Sequence, residues 1–269
     1  MSIYVEIDIR GSLDELWHKT QAPEQHGRWD LRFTEIEYLP RPDEAQPQRF
    51  LYATRLGFGL EIRGEGETVG NREGRRGERT SALRFWSDDG KSLIREGSGY
   101  WQYVPSRGGV RFLTRYDYRT RFGAPGRTFD RLVFRPLIGW ATAWSFDRLR
   151  LWIEQDIDPA VSLRRSLVHA AARVGLAALW LNRGLAATPG RPGMLGPLEV
   201  LFGLTLLVAW RSRALFVGSV VLLALDAPAV ARQPVTPGLG VLALSVLGSV
   251  SGSQLPSAGR CRRTPEAAA

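Results

Sequence analysis

The chain has a single cysteine, Cys261, and three histidines, His18, His26 and His169. One cysteine excludes an intramolecular disulfide and any multi-cysteine metal site. Three scattered histidines leave little for a histidine-based metal cage, and no metal or cofactor is expected. Disorder and a collagen-like repeat are excluded by 44% hydrophobic and 23% charged residues over 269 positions. The glycine clusters Gly57-x-Gly59 and Gly64-x-Gly66-x-x-x-Gly70 sit between strands with no helix following, and read as turns and bulges rather than phosphate loops. Ser98 and Ser145 have no nearby histidine in the sequence, which argues against a Ser-His-Asp hydrolase.

Acidic residues are scarce in one part of the chain. After Ser162 stand eleven arginines and only Glu199, Asp226 and Glu266, whereas the first 162 residues are nearly neutral. The mean hydropathy of −0.16 therefore averages two unlike segments. Basic excess on an apolar segment points to membrane topology, and no nucleic-acid partner is expected.

Four apolar stretches follow Ser162: Leu167–Ala186, Pro197–Trp210, Ala214–Ala231 and Gly238–Ser251. The first and third have the length of a membrane span, and the second and fourth are short. They predict a four-helix transmembrane bundle. Seven arginines (Arg164, Arg165, Arg211, Arg213, Arg260, Arg262 and Arg263) fall on one side, with Arg183, Arg191 and Arg232 on the other. The positive-inside rule then places both termini in the cytoplasm of a multi-pass inner-membrane protein. Arg173, Glu199 and Asp226 are intramembrane polar candidates, and an Arg173–Glu199 pair competes with each residue reaching its own interface.

The first 155 residues read as α+β. Ile3, Val5, Ile7 and Ile9 alternate with polar residues in a half-buried strand. Ser12-x-x-Glu15 is a capping box for a short helix, and a second short helix is expected around Pro23–Gly27. Strands are expected over Phe33–Pro40, Arg49–Leu56, Leu60–Val69, Thr80–Trp86, Ser92–Val104 and Val110–Phe122, as an antiparallel meander. A long helix is predicted over Thr128–Glu154, kinked at Pro136. Phe129, Val133, Leu137, Trp140 and Trp144 form the stripe assigned to the sheet. Phe134, Ile138, Leu149 and Trp152 form a second stripe, assigned to the membrane domain or the headgroup layer.

Strand, two short helices, six strands and a long helix, with Trp29-Asp30-Leu31-Arg32-Phe33 and Gly99-Tyr100-Trp101, resemble the SRPBCC superfamily of START-like and polyketide-cyclase-like helix-grip domains. Arg173-Val174-Gly175 through Cys261 resembles a DoxX-like four-helix membrane domain, as in bacterial fusions of the two. The Pro-Lys usual after the first span is missing from Gly184-Leu185-Ala186-Ala187-Thr188-Pro189, so no role of that loop is carried over. The resemblance implies a ligand-binding domain over 1–155, a linker over 156–166, a transmembrane domain over 167–253 and a cytoplasmic tail over 254–269.

The resemblance also implies a cavity between sheet and long helix for an apolar small molecule of lipid, polyketide or isoprenoid type. Trp29, Phe58, Phe85, Tyr100, Tyr116, Tyr118, Trp140 and Trp144 are the lining candidates, each also compatible with plain core. His26 and Asp30 are close enough for a base and its orienter, although a histidine at a helix end is commonly exposed. With Tyr116 and Tyr118 facing in, Asp117 and Arg115, Arg119 and Arg121 face solvent. Three functions remain open: a membrane-tethered binding protein, a cyclase or isomerase, and an accessory subunit of a membrane redox or thiol-stress complex. The partners expected are the apolar molecule, the bilayer and either a membrane protein or a second copy.

Overall fold

A computed structural model describes residues 2–41, 43, 46–57, 59–186, 195–209, 212, 214–225 and 240–247. The described residues form two compact units, one ending at Ala160 and the other beginning at Val161.

The N-terminal unit is an antiparallel sheet gripping a long helix. Strand β1 (Ile3–Ile9) is followed by α1 (Leu13–Gln21) and α2 (Pro23–Trp29). Then come β2 (Glu35–Tyr38), β3 (Gln48–Gly57), β4 (Leu60–Glu73), β5 (Arg79–Trp86), β6 (Ile94–Ser106) and β7 (Gly109–Thr120). The spatial order is β1-β7-β6-β5-β4-β3-β2, so β2 to β7 form a meander and β1 closes beside β7. Local chemistry explains the helix starts. Ser12 Oγ accepts from the Glu15 backbone N–H at 3.1 Å, and Pro23 opens α2, where its missing N–H costs nothing.

The long helix is not continuous. A short α3 (Gly123–Phe129) leads into a π-helical turn (Asp130–Phe134) and then α4 (Arg135–Gln155). The π turn lies just before Pro136, whose ring and missing N–H disfavour a regular i→i−4 ladder there. Asp156, with φ of 51°, ends α4, and α5 begins at Pro159, inside the stretch read as linker.

The phase of the long helix is the reverse of the one expected. Ala143, Phe146, Leu149 and Trp152 belong to the buried core with Ile3, Val5, Ile7, Trp101, Tyr103 and Phe112, and Phe134, Ile138 and Ile153 pack against it. Phe129, Val133 and Leu137 are exposed, and the Trp140 and Trp144 rings meet in a tilted contact at 4.9 Å on the side away from the sheet. Both stripes have helical spacing and comparable apolarity, so periodicity alone could not choose between them. The choice follows from β1 and β7, on which α4 packs.

The C-terminal unit contains α5 (Pro159–Leu185), α6 (Leu195–Val208), α7 (Ala214–Leu225) and helical residues 240–247. Among the described residues, no helix is long and apolar enough to cross a membrane, contrary to the expected spans. A crossing of about 30 Å needs about 20 apolar residues. Helices α6 and α7 have 14 and 12 residues, and α5 carries Arg164, Arg165, Arg173 and Arg183. Close contact between α5 and α6 depends on Gly203, where a Cβ would meet Leu181 at 2.9 Å and the Ala177 carbonyl at 3.0 Å.

Candidate ligand site and buried polar clusters

The inner sheet face is built of rows that run straight across the strands. Tyr38 pairs with Phe50, Phe50 with Gly66, Gly66 with Phe85, Phe85 with Gly97, and Gly97 with Tyr118. Directly opposed residues share a face, so from Phe50 onward aromatics and glycines alternate along one row. The rings lie over the glycines: a Cβ at Gly66 would run into the Phe50 ring, and one at Gly97 into the Phe85 ring. Tyr52 covers Gly64 in the same way, whereas a Cβ at Gly99 would run into the Tyr116 Cβ and the Arg115 carbonyl. Gly64 and Gly66 are therefore mid-strand residues under aromatic rings, not turns. Gly59 does sit in a turn with φ of 74°, and Gly70 follows the register shift in β4.

The two halves of this face differ. Around β1, β7 and β6, helices α1, α2 and α4 close a dense core. Over β2 to β5 the inward residues Ile36, Tyr38, Phe50, Tyr52 and Phe85 are only half-buried. Phe33 adds a ring to this side, 5.5 Å from Tyr52.

Where the halves meet sits a buried charged cluster. Asp30, 1% exposed, ends α2. Its Oδ1 accepts from the Arg32 backbone N–H at 3.0 Å and from Arg32 Nε at 2.9 Å. Its Oδ2 accepts from Arg32 Nη2 at 2.6 Å and lies 3.1 Å from His26 Nε2. Ser145 Oγ on α4 approaches Oδ1 at 3.4 Å. The Arg32 guanidinium lies 5.4 Å from the centre of the Tyr116 ring, and the Tyr116 hydroxyl meets Thr142 Oγ1 at 2.9 Å. Burial by itself would raise the Asp30 carboxyl, but Arg32 and His26 outweigh it and hold the group far below the usual carboxylate range. Burial likewise opposes the Arg32 charge, and Asp30 outweighs it in raising the guanidinium. Arg148, pushed down to about 10 by burial, donates to the Arg28 and Trp29 carbonyls, each at 2.9 Å, and so caps the end of α2.

This chemistry limits the roles. Asp30 is saturated by donors, so it holds other groups in place and does not abstract a proton. His26 is buried rather than exposed. Its ring lies between Trp29, Phe33 and Trp101 at 4.9 to 5.5 Å, and its Nε2 faces Asp30, the geometry of a base and its orienter. A second cluster lies at the π turn. Tyr118 donates to Asp130 Oδ1 at 2.6 Å, and Arg135 donates to Asp130 at 2.9 Å and to half-exposed Asp117 at 3.2 Å. Burial and then Asp130 push the Tyr118 hydroxyl upward.

The expected lining residues are not one set. Phe85, Tyr116 and Tyr118 turn inward. Trp29 is fully buried core, its Nε1 donating to the Lys19 carbonyl at 2.9 Å. Tyr100 faces the other side of the sheet: it pairs with Arg115, as does Tyr4, while Trp101 and Tyr103 take the inward positions. Strand alternation forbids Tyr100 and Trp101 from sharing a face, and the register with β7 decides which goes in. Trp140 and Trp144 lie on the helix face away from the sheet. Phe58 lies outside the described residues. In the sequence Arg32 stands out only as part of the Trp29–Phe33 segment and Ser145 only as a serine without a histidine, and Thr142 not at all. The available signals were the Asp30-x-Arg32 spacing and two hydroxyls three apart on α4.

In the C-terminal unit Arg173 does not pair with Glu199. It donates to the Leu206, Ala209 and Ser212 carbonyls at 2.7 to 3.0 Å, capping the end of α6. Glu199 instead accepts from Arg183 at 3.3 Å. Asp226 lies outside the described residues. Trp180 Nε1 donates to Ser219 Oγ at 3.1 Å.

A sheet gripping a long helix defines the N-terminal unit as a helix-grip domain. No family profile matches the chain. The uncharacterized membrane protein YndG of Bacillus subtilis is 49% identical over 185 residues, covering 68% of this chain and 69% of that protein. The chain belongs to the family of YndG. Solved structures similar to 57–58% of the chain include TTHA0849 from Thermus thermophilus (16% identity, 97% of that chain, TM-score 0.44). The STAR-related lipid transfer protein of Xanthomonas axonopodis has 15% identity over 86% of its chain, TM-score 0.44. The Zhui aromatase/cyclase of Streptomyces sp. R1128 has 10% identity over 97% of its chain, TM-score 0.43.

Proposed function

We propose that the N-terminal unit binds an apolar small molecule against the half-buried aromatic side of its inner sheet face. The observation that carries this is the row Tyr38, Phe50 and Phe85, whose rings share one face with glycines and are only half-buried, ending on buried Tyr118 at the edge of the core. Burial of apolar surface would drive uptake at about 25 cal/mol per Å². Arg32 and the Tyr116–Thr142 hydroxyls stand at the boundary with the core and would orient a ligand oxygen. The test is native mass spectrometry of the detergent-purified full chain beside Phe50→Ala with Phe85→Ala. A lipid-like mass that copurifies with the parent and is lost from the variant, at unchanged circular dichroism, is the expected result. Equal loading of both proteins would place the ligand elsewhere.

A second reading, a cyclase or isomerase on such a ligand, is favoured by the convergence of His26, Asp30, Arg32 and Tyr116. In that reading His26 is the base, Asp30 its orienter, and Tyr116 a proton donor. Tyr116→Phe would then bind ligand normally and fail to convert it.

The helical unit is proposed to sit in the membrane as a DoxX-like domain of a multi-pass inner-membrane protein, both termini cytoplasmic. Its side chains support a lipid setting: Arg183 and Glu199 are buried, while Leu198, Leu201, Leu204, Val217 and Val221 are exposed. That is the inverse of a water-soluble bundle. The family of YndG, named a membrane protein, agrees. The short α6 and α7 would require a thinned bilayer or flanking residues. Reporter fusions at the C-terminus, active only in the cytoplasm, test the orientation.

A further inference from the structure

The apolar stripe that the sheet leaves uncovered runs from the end of β7 into α4. Phe122, Phe129, Leu132, Val133 and Leu137 are between 48% and 65% exposed. Positions 129, 132, 133 and 137 recur at helical spacing, opposite the inward Asp130, Phe134, Ile138 and Thr142. Contiguous exposed apolar surface of this kind marks a contact site. The charges specify the kind of partner. From Arg121 to Trp140 the sequence carries four arginines and one acid, Asp130. That acid is buried and bound by Tyr118 and Arg135, so it does not offset the surface. Arg127 and Arg131, one turn apart and exposed, make no ion pair among the described residues.

We infer that the Phe122–Leu137 surface docks on an anionic lipid bilayer, with its apolar side chains at the acyl boundary and Arg127 and Arg131 at the headgroups. A helix face that pairs exposed Phe and Leu with such arginines fits an interface that is apolar below and anionic at its plane. The inference concerns the helix-grip unit only and does not depend on whether the helical unit spans the membrane.

The test uses the full chain with Cys261→Ser, which removes its only cysteine. Leu132→Cys, or as a control Ser98→Cys on the opposite sheet face, then carries a fluorophore. The protein is reconstituted in phosphatidylglycerol or phosphatidylcholine bilayers containing acyl-brominated lipid. The label at position 132 should be quenched several-fold more than the label at position 98, and more in phosphatidylglycerol than in phosphatidylcholine. Arg127→Glu with Arg131→Glu should abolish the difference between lipids. Equal quenching at 132 and 98 would overturn the proposal. So would equal quenching in the two lipids, or a 132 label that resists bromolipid in a protein whose unlabelled Leu132→Cys thiol crosslinks to a second copy. Circular dichroism of each variant separates misfolding from lost docking, and Arg127→Lys with Arg131→Lys should restore the parent behaviour.

Discussion

At the residue scale, Asp30 is the position where burial and charge most oppose each other. Its carboxyl is held ionised by Arg32 and His26. Asp30→Asn leaves a largely buried arginine without its counter-charge, so it should cost about 3–5 kcal/mol of unfolding free energy. The pH dependence follows from the direction of the shift. A carboxylate whose folded pKa lies below its unfolded value of about 3.9 stabilises the fold above that value. The stabilisation declines as pH falls further, toward the folded pKa. Urea titrations of the parent should therefore show the midpoint dropping below about pH 4, and Asp30→Asn should flatten that drop. A parent and variant with parallel acid limbs would show that the pair carries no such coupling. Tyr116→Phe should be mild, about 0.5–1.5 kcal/mol, because Thr142 Oγ1 keeps its bond to the Ile138 carbonyl at 2.7 Å.

At the scale of elements, the long helix and the glycine rows carry the argument. Leu149 is fully buried against the sheet, so Leu149→Ala should cost about 2–5 kcal/mol. Leu137→Ala, on the exposed stripe, should fall within about 0.5 kcal/mol of the parent. Thermal or chemical unfolding of the two variants compares the helix faces directly, and a reversal of their order would restore the opposite phase. Gly97→Ala tests the rows. The new Cβ would meet the Phe85 ring and, at 2.8 Å, the Asp117 carbonyl oxygen. A ring can swing away and a paired strand cannot, so a loss of about 1–3 kcal/mol is expected. Gly27→Ala, with open space around it and a helical position, should be neutral or slightly stabilising.

At the scale of the molecule, the two units follow different physical rules. The N-terminal unit buries aliphatic and aromatic side chains around a few ion pairs, such as Asp30–Arg32, and carries most of its other ion pairs on the surface. The helical unit buries an arginine–glutamate pair at 3.3 Å while exposing leucines and valines. Arg183→Leu alone removes the buried counter-charge 3.3 Å from Glu199 and should be destabilising, by about 3–5 kcal/mol. Arg183→Leu with Glu199→Leu should recover most of that loss. The double-mutant cycle, read from detergent-solubilised thermal melts, checks the pair. Additive losses would mean that the two side chains do not act together.

How much of this was legible in the sequence depends on the range of the signal. Strand alternation in Ile3–Ile9, the Ser12 capping box and the punctuated strands are local, and they located nearly every element of the grip. The split between a neutral α+β segment and a basic apolar one was equally visible, because composition requires no contacts. The long helix was legible as a helix, but its inward face was not: two apolar stripes satisfied one period, and only packing on β1 and β7 separated them. Tyr100 and Trp101 posed the same ambiguity at period two, settled by register with β7. The aromatic–glycine rows join residues of six strands, and no spacing within one strand reveals them. Arg173 and Glu199 were visible as charges in apolar helices, yet their partners, α6 carbonyls and Arg183, emerged only when helices distant in sequence were brought together. The order of residues was enough to set the elements and the chemical character of each segment. Which faces meet was settled by packing in three dimensions, because side-chain direction is local while the identity of a neighbour is not.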